Sequence, residues 1–289
     1  MYKISFVLLF FTFFSCSEVK NTIKKSENSK IQSTVIQKIQ KRTEKEILVC
    51  AHRAYHKFAP ENSLESIKKA IEAKIDIVEI DVNTTKDGVL VLMHDNKIDR
   101  TTNGTGYIRD FTFAELSNLF LVMNDSVTTH KIPTLQEVLE ISKNKIILNL
   151  DIKNVEISKL YQQLKENKMQ NDVFSFIWDR KKIAEILAID ATYAVLPLVS
   201  NSKEMMYYAK NITSKLQHFD EKSLNSENMN WAKKNAIQVF MNSLWHVDKL
   251  FEKNNTASMN KIIELRPAII QTDHPVLLIK YLQKLNLHE

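Results

Sequence analysis

Glu79 and Asp81 stand two residues apart in the run 76–82, DIVEIDV, whose apolar and β-branched content reads as a strand. Side chains at i and i+2 of a strand share a face. Two carboxylates on one face of a buried strand cost several kcal/mol each unless something neutralises them. A divalent cation is the simplest remedy, and an all-oxygen donor set suits Ca²⁺ or Mg²⁺ better than Zn²⁺. Taken alone, the pair also fits two carboxylates wetted at a strand end. Asp151 strengthens the ion reading, because it too lies near the C-terminal end of an apolar run, 145–152 (KIILNLDI). His52 and His94 each close an apolar run and are followed by a polar residue, Arg53 and Asp95. Two imidazoles beside three acids suit a general acid and a general base on opposite sides of a reacting group. Asp95 could orient the ring of its neighbour. Arg53 and Lys153 add fixed positive charge at the same rim, which suits a phosphate.

These groups need a scaffold that brings strand ends together. Strand-like runs fall at 47–52, 76–82, 145–152, 172–177, 193–199, 214–219, 237–242 and 268–273. Helical periodicity occupies 62–73, 155–167, 179–188, 202–210, 225–235, 246–263 and 274–285. Such alternation predicts parallel βα units, and eight strands predict a closed (β/α)8 TIM barrel of the α/β class, whose sites sit at the C-terminal strand ends. Asp87-Gly88 is a hairpin signal, so 89–93 folds back as an extra strand. The third barrel strand then waits until 145. Residues 96–144, with helical pieces at 113–120 and 134–142, form a small insertion between the second and third barrel strands. Gly88, Gly104 and Gly106 are all the glycines in the chain, which predicts unusual backbone in this region.

The chain has 289 residues, enough for one large domain. Residues 1–16 read as a secretory signal: Lys3 is followed by an apolar stretch, 4–14, too short to span a bilayer. Ser15-Cys16 resembles a bacterial lipobox, so Cys16 is expected to be lipidated, placing the protein in the cell envelope as a membrane-anchored lipoprotein. Residues 17–46 are polar and free of aromatics, and are expected to form a flexible tether. They hold eight Lys/Arg and four Glu, so most of the net charge of +6 lies there, and 47–289 carries about +1. That leaves no basic face for a nucleic acid. Cys50, inside an apolar run, reads as a buried structural thiol.

The motif string resembles the glycerophosphodiester phosphodiesterase family. It runs His52-Arg53, Pro60-Glu61-Asn62-Ser63, Glu79-Ile80-Asp81-Val82, Thr85-Lys86-Asp87-Gly88, His94-Asp95 and Arg100-Thr101-Thr102-Asn103-Gly104. It continues with Ile132-Pro133-Thr134-Leu135 and Leu150-Asp151-Ile152-Lys153, and more faintly with Thr272-Asp273-His274-Pro275. The resemblance implies metal-dependent hydrolysis of glycerophosphodiesters to glycerol 3-phosphate and an alcohol, through a cyclic phosphate. Carried over residue by residue, it implies Glu79, Asp81 and Asp151 as metal ligands, His52 and His94 as the acid/base pair, and Arg53 and Lys153 on the phosphate. Two positions depart from the family pattern: Ala54 stands where glycine is usual, and Asp151 where glutamate is usual. The related spider-venom type phospholipases D also use a shorter third acid, so Asp151 does not imply loss of the metal. A phospholipase D-like or lysophospholipase D activity on membrane lipids is the alternative, since the expected membrane tether would hold the enzyme at such a substrate. A non-catalytic binding protein is a third reading, disfavoured because an apolar rim has no structural use for five such groups. Asn62 with Glu65 reads as a helix cap. His56, His130, His218, His246 and His288 read as surface or satisfied groups, and Trp245 as either mouth or packing.

Overall fold

The computed structural model describes residues 34–43 and 45–289. The signal segment, Cys16 and residues 17–33 lie outside the described residues. Among the described residues no helix is long and apolar enough to cross a membrane.

Nine parallel strand segments make the wall of a barrel. β1 (Leu48–Ala51), β2 (Ile77–Thr84), β6 (Ile147–Ile152), β7 (Val173–Phe176) and β8 (Val195–Leu196) run round one side. β12 (Ile269–Thr272), β11 (Gln238–Asn242), β10 (Leu216–Phe219) and β9 (Leu198–Val199) run round the other. β8 and β9 are one stave broken at Pro197. The ring nitrogen of Pro197 carries no hydrogen to give the ladder, while its carbonyl still accepts from the His218 N–H at 2.9 Å. The expected strand 193–199 is therefore two short pieces, one paired to each neighbour. The strands are buried nearly throughout, as both-face coverage requires.

The outer ring holds α2 (Leu64–Glu72), α4 (Leu135–Ser142), α5 (Ile157–Glu166), α6 (Arg180–Ile189), α7 (Ser202–Asn211), α8 (Ser226–Lys234), α9 (His246–Glu252), α10 (Ala257–Glu264) and α11 (Pro275–Lys284). The single helix expected over 246–263 is two, α9 and α10, separated at 253–256, where Asn254 takes φ 63°. The insertion also differs from its expected bounds of 96–144. α4 packs against α2 and against β3 (Leu90–Leu92), so it belongs to the ring. The insertion proper is already under way at β3, which pairs antiparallel with β2 after the Asp87-Gly88 turn. It carries α3 (Phe113–Leu116) and a hairpin of β4 (Val122–Met123) and β5 (Ser126–Val127). Its own small core includes Val91, Met93, Ile98, Ile108, Leu116, Leu121 and Ile132.

The tether expected over 17–46 is partly ordered, which corrects that boundary. α1 (Thr34–Thr43) closes the N-terminal end of the barrel. Val35, Ile36 and Ile39 recur at helical spacing and are fully buried against the barrel's lower interior, including Leu48, Ile77, Leu216 and Ile269. Each such side chain contributes about 1.5–3 kcal/mol by leaving water. Polar ties fix the helix to the strand starts: Arg42 Nη1 to Asp76 Oδ1 at 2.7 Å, Thr43 Oγ1 to Gln238 Oε1 at 2.6 Å, and Lys38 Nζ to Asp172 Oδ1 at 3.0 Å. Three apolar side chains among many charges were too few to outweigh the composition, yet they sit on one face.

Candidate active site

β2 and β6 pair in a register that sets Glu79 beside Asn149 and Asp81 beside Asp151. One carboxylate oxygen from each of Glu79, Asp81 and Asp151 lies within 4.8 Å of the others. Burial, reinforced by Asp81 and Asp151, pushes the Glu79 carboxyl well above the usual range. Burial also raises Asp151, with Lys153 opposing and Asp81 adding. For Asp81 burial is outweighed: Lys153, His94, the Asn62 amide and Arg53 together hold it below the usual range. Asp151 Oδ1 is buried with no hydrogen-bond partner. Clustered hard oxygens, two of them on acids that resist ionising, fit a divalent cation.

The two histidines are held alike. His52 Nδ1 lies 2.8 Å from Asp273 Oδ1, and His94 Nδ1 lies 2.6 Å from Asp95 Oδ1. In each case a carboxylate favours the Nδ1–H tautomer and leaves Nε2 for proton exchange. Asp273 is itself fixed. Its N–H donates to Asp248 Oδ2 at 2.7 Å, and the buried Asp248 also accepts from Ser243 Oγ at 2.7 Å and Thr272 Oγ1 at 2.8 Å. Burial works against the Asp273 charge, but His52, His56 and Lys57 prevail and its pKa is lowered. On the other side Arg100 Nε donates to Asp95 at 2.6 Å, and the Arg100 fork grips Glu61 at 2.7 and 2.8 Å. Burial would raise Asp95, but Arg100 and His94 bring it down to about 2. Glu61 in turn accepts from Arg53 Nη1 at 3.0 Å. The chain His94–Asp95–Arg100–Glu61–Arg53 ties the insertion, which carries His94, to the loop after β1, which carries His52.

The structure brings the sequence-predicted residues together. His52, Arg53, Glu79, Asp81, His94 and Asp151 line one cavity of about 170 Å³. Lys153 borders an adjoining open groove of about 710 Å³, shared with His94, Asp151, Trp178 and Lys182. Its ammonium lies 2.6 Å from Asp151 Oδ2 and 3.0 Å from Asp81 Oδ1; burial disfavours the charge, but both acids outweigh it and push the pKa to about 12.

Several expectations change. Asn62 is not the helix cap. Ser63 caps α2, reciprocally with Ser66, while Asn62 takes φ 55° and turns to Asp81, donating Nδ2 to Oδ2 at 2.7 Å and accepting the Asp81 N–H at 3.0 Å. Arg53 and Ala54 both adopt left-handed backbone, φ 51° and 61°, so Ala54 occupies a conformation that glycine would take without steric cost. That turn lets the Arg53 N–H reach Glu79 Oε2 at 2.8 Å. Unusual backbone is not confined to the glycine-bearing region, because Asn, Lys and Arg take positive φ after several helices. His56 is not isolated: its Nε2 lies 3.6 Å from Asp273. His218 is buried against the cavity, between Phe176 and Phe240. Trp245 belongs to the mouth, 77% exposed and at φ 63°. Asp273, Asp248, Glu61 and Arg100 had no assigned role; Glu61, Arg100 and Asp273 stand inside the motif string, while Asp248, in the first turn of α9, carries no such local signal.

A sequence model of the glycerophosphoryl diester phosphodiesterase family matches residues 52–277. A glycerophosphodiester phosphodiesterase of Caldanaerobacter subterraneus subsp. tengcongensis is 32% identical over 252 residues, spanning 82% of this chain and 98% of that protein. A crystal structure of a glycerophosphoryl diester phosphodiesterase from Parabacteroides distasonis superposes with a TM-score of 0.76 at 23% identity, covering 88% of this chain and 94% of that one. An Oleispira antarctica phosphodiesterase, solved with the product sn-glycerol-3-phosphate, superposes with a TM-score of 0.70 at 23% identity, covering 82% and 96%.

Proposed function

The chain belongs to the glycerophosphoryl diester phosphodiesterase family and is a phosphoric diester hydrolase, and we propose that it hydrolyses glycerophosphodiesters to glycerol 3-phosphate and an alcohol by acid/base catalysis through a cyclic phosphate. The observation that carries this reading is the pairing of two imidazoles, each fixed through Nδ1 by a carboxylate, around one cavity that also holds three clustered acids.

Glu79, Asp81 and Asp151 would hold a divalent cation, Ca²⁺ or Mg²⁺, which when bound supplies charge stabilisation to the phosphoryl oxygens. Arg53 and Lys153 hold the phosphate at the rim, where each would exchange a carboxylate contact for a phosphate oxygen. One of His52 and His94 takes the proton of the substrate's glycerol hydroxyl as that oxygen bonds to phosphorus. The other protonates the departing alcohol oxygen as its bond to phosphorus breaks. Water then opens the cyclic phosphate with the two roles exchanged. Asp273 and Asp95 stabilise whichever imidazole is charged.

The test is incubation of the purified protein with a panel of glycerophosphodiesters, with and without EDTA. Glycerol 3-phosphate release that EDTA abolishes and Ca²⁺ or Mg²⁺ restores is the expected result. A His52→Ala or His94→Ala protein that keeps full activity would remove the acid/base assignment. The rival reading, a phospholipase D-like activity at a lipid surface, draws on the rim. Phe58, Trp178 and Trp245 are 67, 70 and 77% exposed, more than any other large apolar side chain among the described residues. A lysophospholipid in the same panel separates the two. Lipid anchoring through Cys16 in the cell envelope remains part of the proposal on sequence grounds, and a Cys16→Ala protein that still partitions with membranes would refute it.

A further inference from the structure

The three most exposed large apolar side chains among the described residues, Phe58, Trp178 and Trp245, all stand at the mouth end of the barrel. Phe58 follows β1, Trp178 follows β7 and Trp245 follows β11. Round the ring the staves run β1, β2, β6, β7, β8/β9, β10, β11, β12. Trp178 is therefore three staves on from Phe58, Trp245 is three further, and two more return to Phe58. Exposed apolar residues scattered singly are ordinary. Three aromatics spaced almost evenly round one rim are not scatter, and three points define a plane. Trp245 adds a second sign. Its backbone lies at φ 63° and ψ −101°, and it is the one aromatic residue at positive φ among the described residues. Bulky side chains avoid that region, and here the ring recovers nothing by burial.

We propose that the barrel docks mouth-down on a phospholipid bilayer, with Phe58, Trp178 and Trp245 seated at the level of the headgroups. Tryptophan suits that boundary, because its ring has an apolar body and an N–H that keeps a polar partner. Charge agrees. The exposed Lys57 adjoins Phe58, Lys181 follows Trp178, and Lys249 follows Trp245, each placed to meet an anionic headgroup. Asp179 stands beside Trp178, and Asp99, Asp110 and Glu221 are exposed on other segments of the same end. The rings, not net charge, therefore carry most of the contact. A protein partner needs a continuous, well-packed patch, which legs two or three staves apart do not offer; a bilayer needs only a plane. The groove of about 710 Å³ beside His94 leaves substrate a way in past Trp178. The chain before α1 is long enough to allow this orientation. Val35 N–H donates to the Asn171 carbonyl at 2.8 Å and Lys38 pairs with Asp172, so α1 begins at the foot of β7, the stave topped by Trp178. Residues 17–33 reach at most about 60 Å, and a domain of this size is about 45 Å across. The Cys16 anchor proposed above can thus share the bilayer that the mouth touches. Docking depends on neither that anchor nor the choice between a soluble diester and a lipid.

Tryptophan emission tests this, because the one other tryptophan, Trp231, packs against the core on α8. The purified full chain is mixed with vesicles of phosphatidylcholine and phosphatidylglycerol whose acyl chains are either plain or dibrominated. Rings seated at the headgroup–acyl boundary should lose emission about twofold in the brominated vesicles. Replacing Trp178→Phe and Trp245→Phe together should abolish that loss, and Phe58→Asp alone should weaken it. All three positions are exposed, so the variants should melt as the wild type does. Failure to bind the vesicles overturns the proposal. So does bound protein with equal emission in both lipids, which the N-terminal segment alone would be holding. Quenching that survives the loss of both tryptophans, or that high salt removes, overturns it as well. A Cys16→Ala chain that is still quenched keeps the docking whatever becomes of the anchor.

Discussion

Replacing His218 with Phe probes how the barrel treats a buried imidazole. Burial lowers this group's pKa from the ordinary 6.5 to about 4. The unfolded chain takes up the proton below about pH 6.5, while the folded protein refuses it until about pH 4. Between those values the unfolded state binds more protons, so stability must rise with pH. One pH unit of mismatch is worth about 1.4 kcal/mol. At pH 4.5 the mismatch spans about two units, so the wild type should lose about 2–3 kcal/mol relative to pH 7.5 through this residue. A phenyl ring fits the same edge-on slot between Phe176 and Phe240 and titrates nothing. Urea denaturation of both proteins at pH 7.5, 6.0, 5.0 and 4.5 isolates the effect, because the other titrating groups are common to both and cancel in the difference. The variant should gain on the wild type steadily as pH falls. A stability difference that stays constant within about 0.5 kcal/mol from pH 7.5 to 4.5 would refute the account of a neutral, buried His218.

Asp273→Asn removes the carboxylate that faces His52 Nδ1 at 2.8 Å. kcat for a glycerophosphodiester should fall by about 10²-fold, within the range that positioned proton transfer supplies, with KM nearly unchanged; unaltered kcat would show that Asp273 does not orient the ring. Glu79→Gln relieves the repulsion among three acids, so the metal-free protein should melt at the same or a higher temperature. The rise in melting temperature with added Ca²⁺ or Mg²⁺ should disappear, since only binding to the folded state produces it; a rise that persists would mean the ion sits elsewhere. Ile36→Ala should cost about 2–4 kcal/mol in urea denaturation, as for other fully buried aliphatic side chains, and a cost below about 0.5 would mean α1 does not seal the barrel. Lys74→Gly should stabilise by about 0.5–1 kcal/mol, because the exposed Lys74 ends α2 at φ 55°. It relieves about 1–2 kcal/mol of left-handed strain and returns about half of that as chain entropy; a destabilised variant would argue against strain there.

Short-range periodicity governs the part of this protein that can be read along the chain. Apolar runs of strand length, separated by amphipathic stretches, specify parallel βα units whatever lies far away in the chain. The spacing of Glu79 and Asp81 puts both on one face of β2. His52, His94 and Asp151 were legible for the same reason, as polar residues closing apolar runs. The remainder depends on partners distant in sequence and follows from the folded barrel. Asp273 meets His52 because β12 closes the ring against β1. Arg100 meets Glu61 because the insertion folds over the mouth. Asn62 faces Asp81 because its left-handed turn takes it out of the capping position. α1 orders because the open end of a barrel offers its three apolar side chains a surface. His218 looked unremarkable along the chain, and its burial in the cavity that the acids also line follows from ring closure. Periodicity says which way a residue faces; it carries no information about what stands opposite.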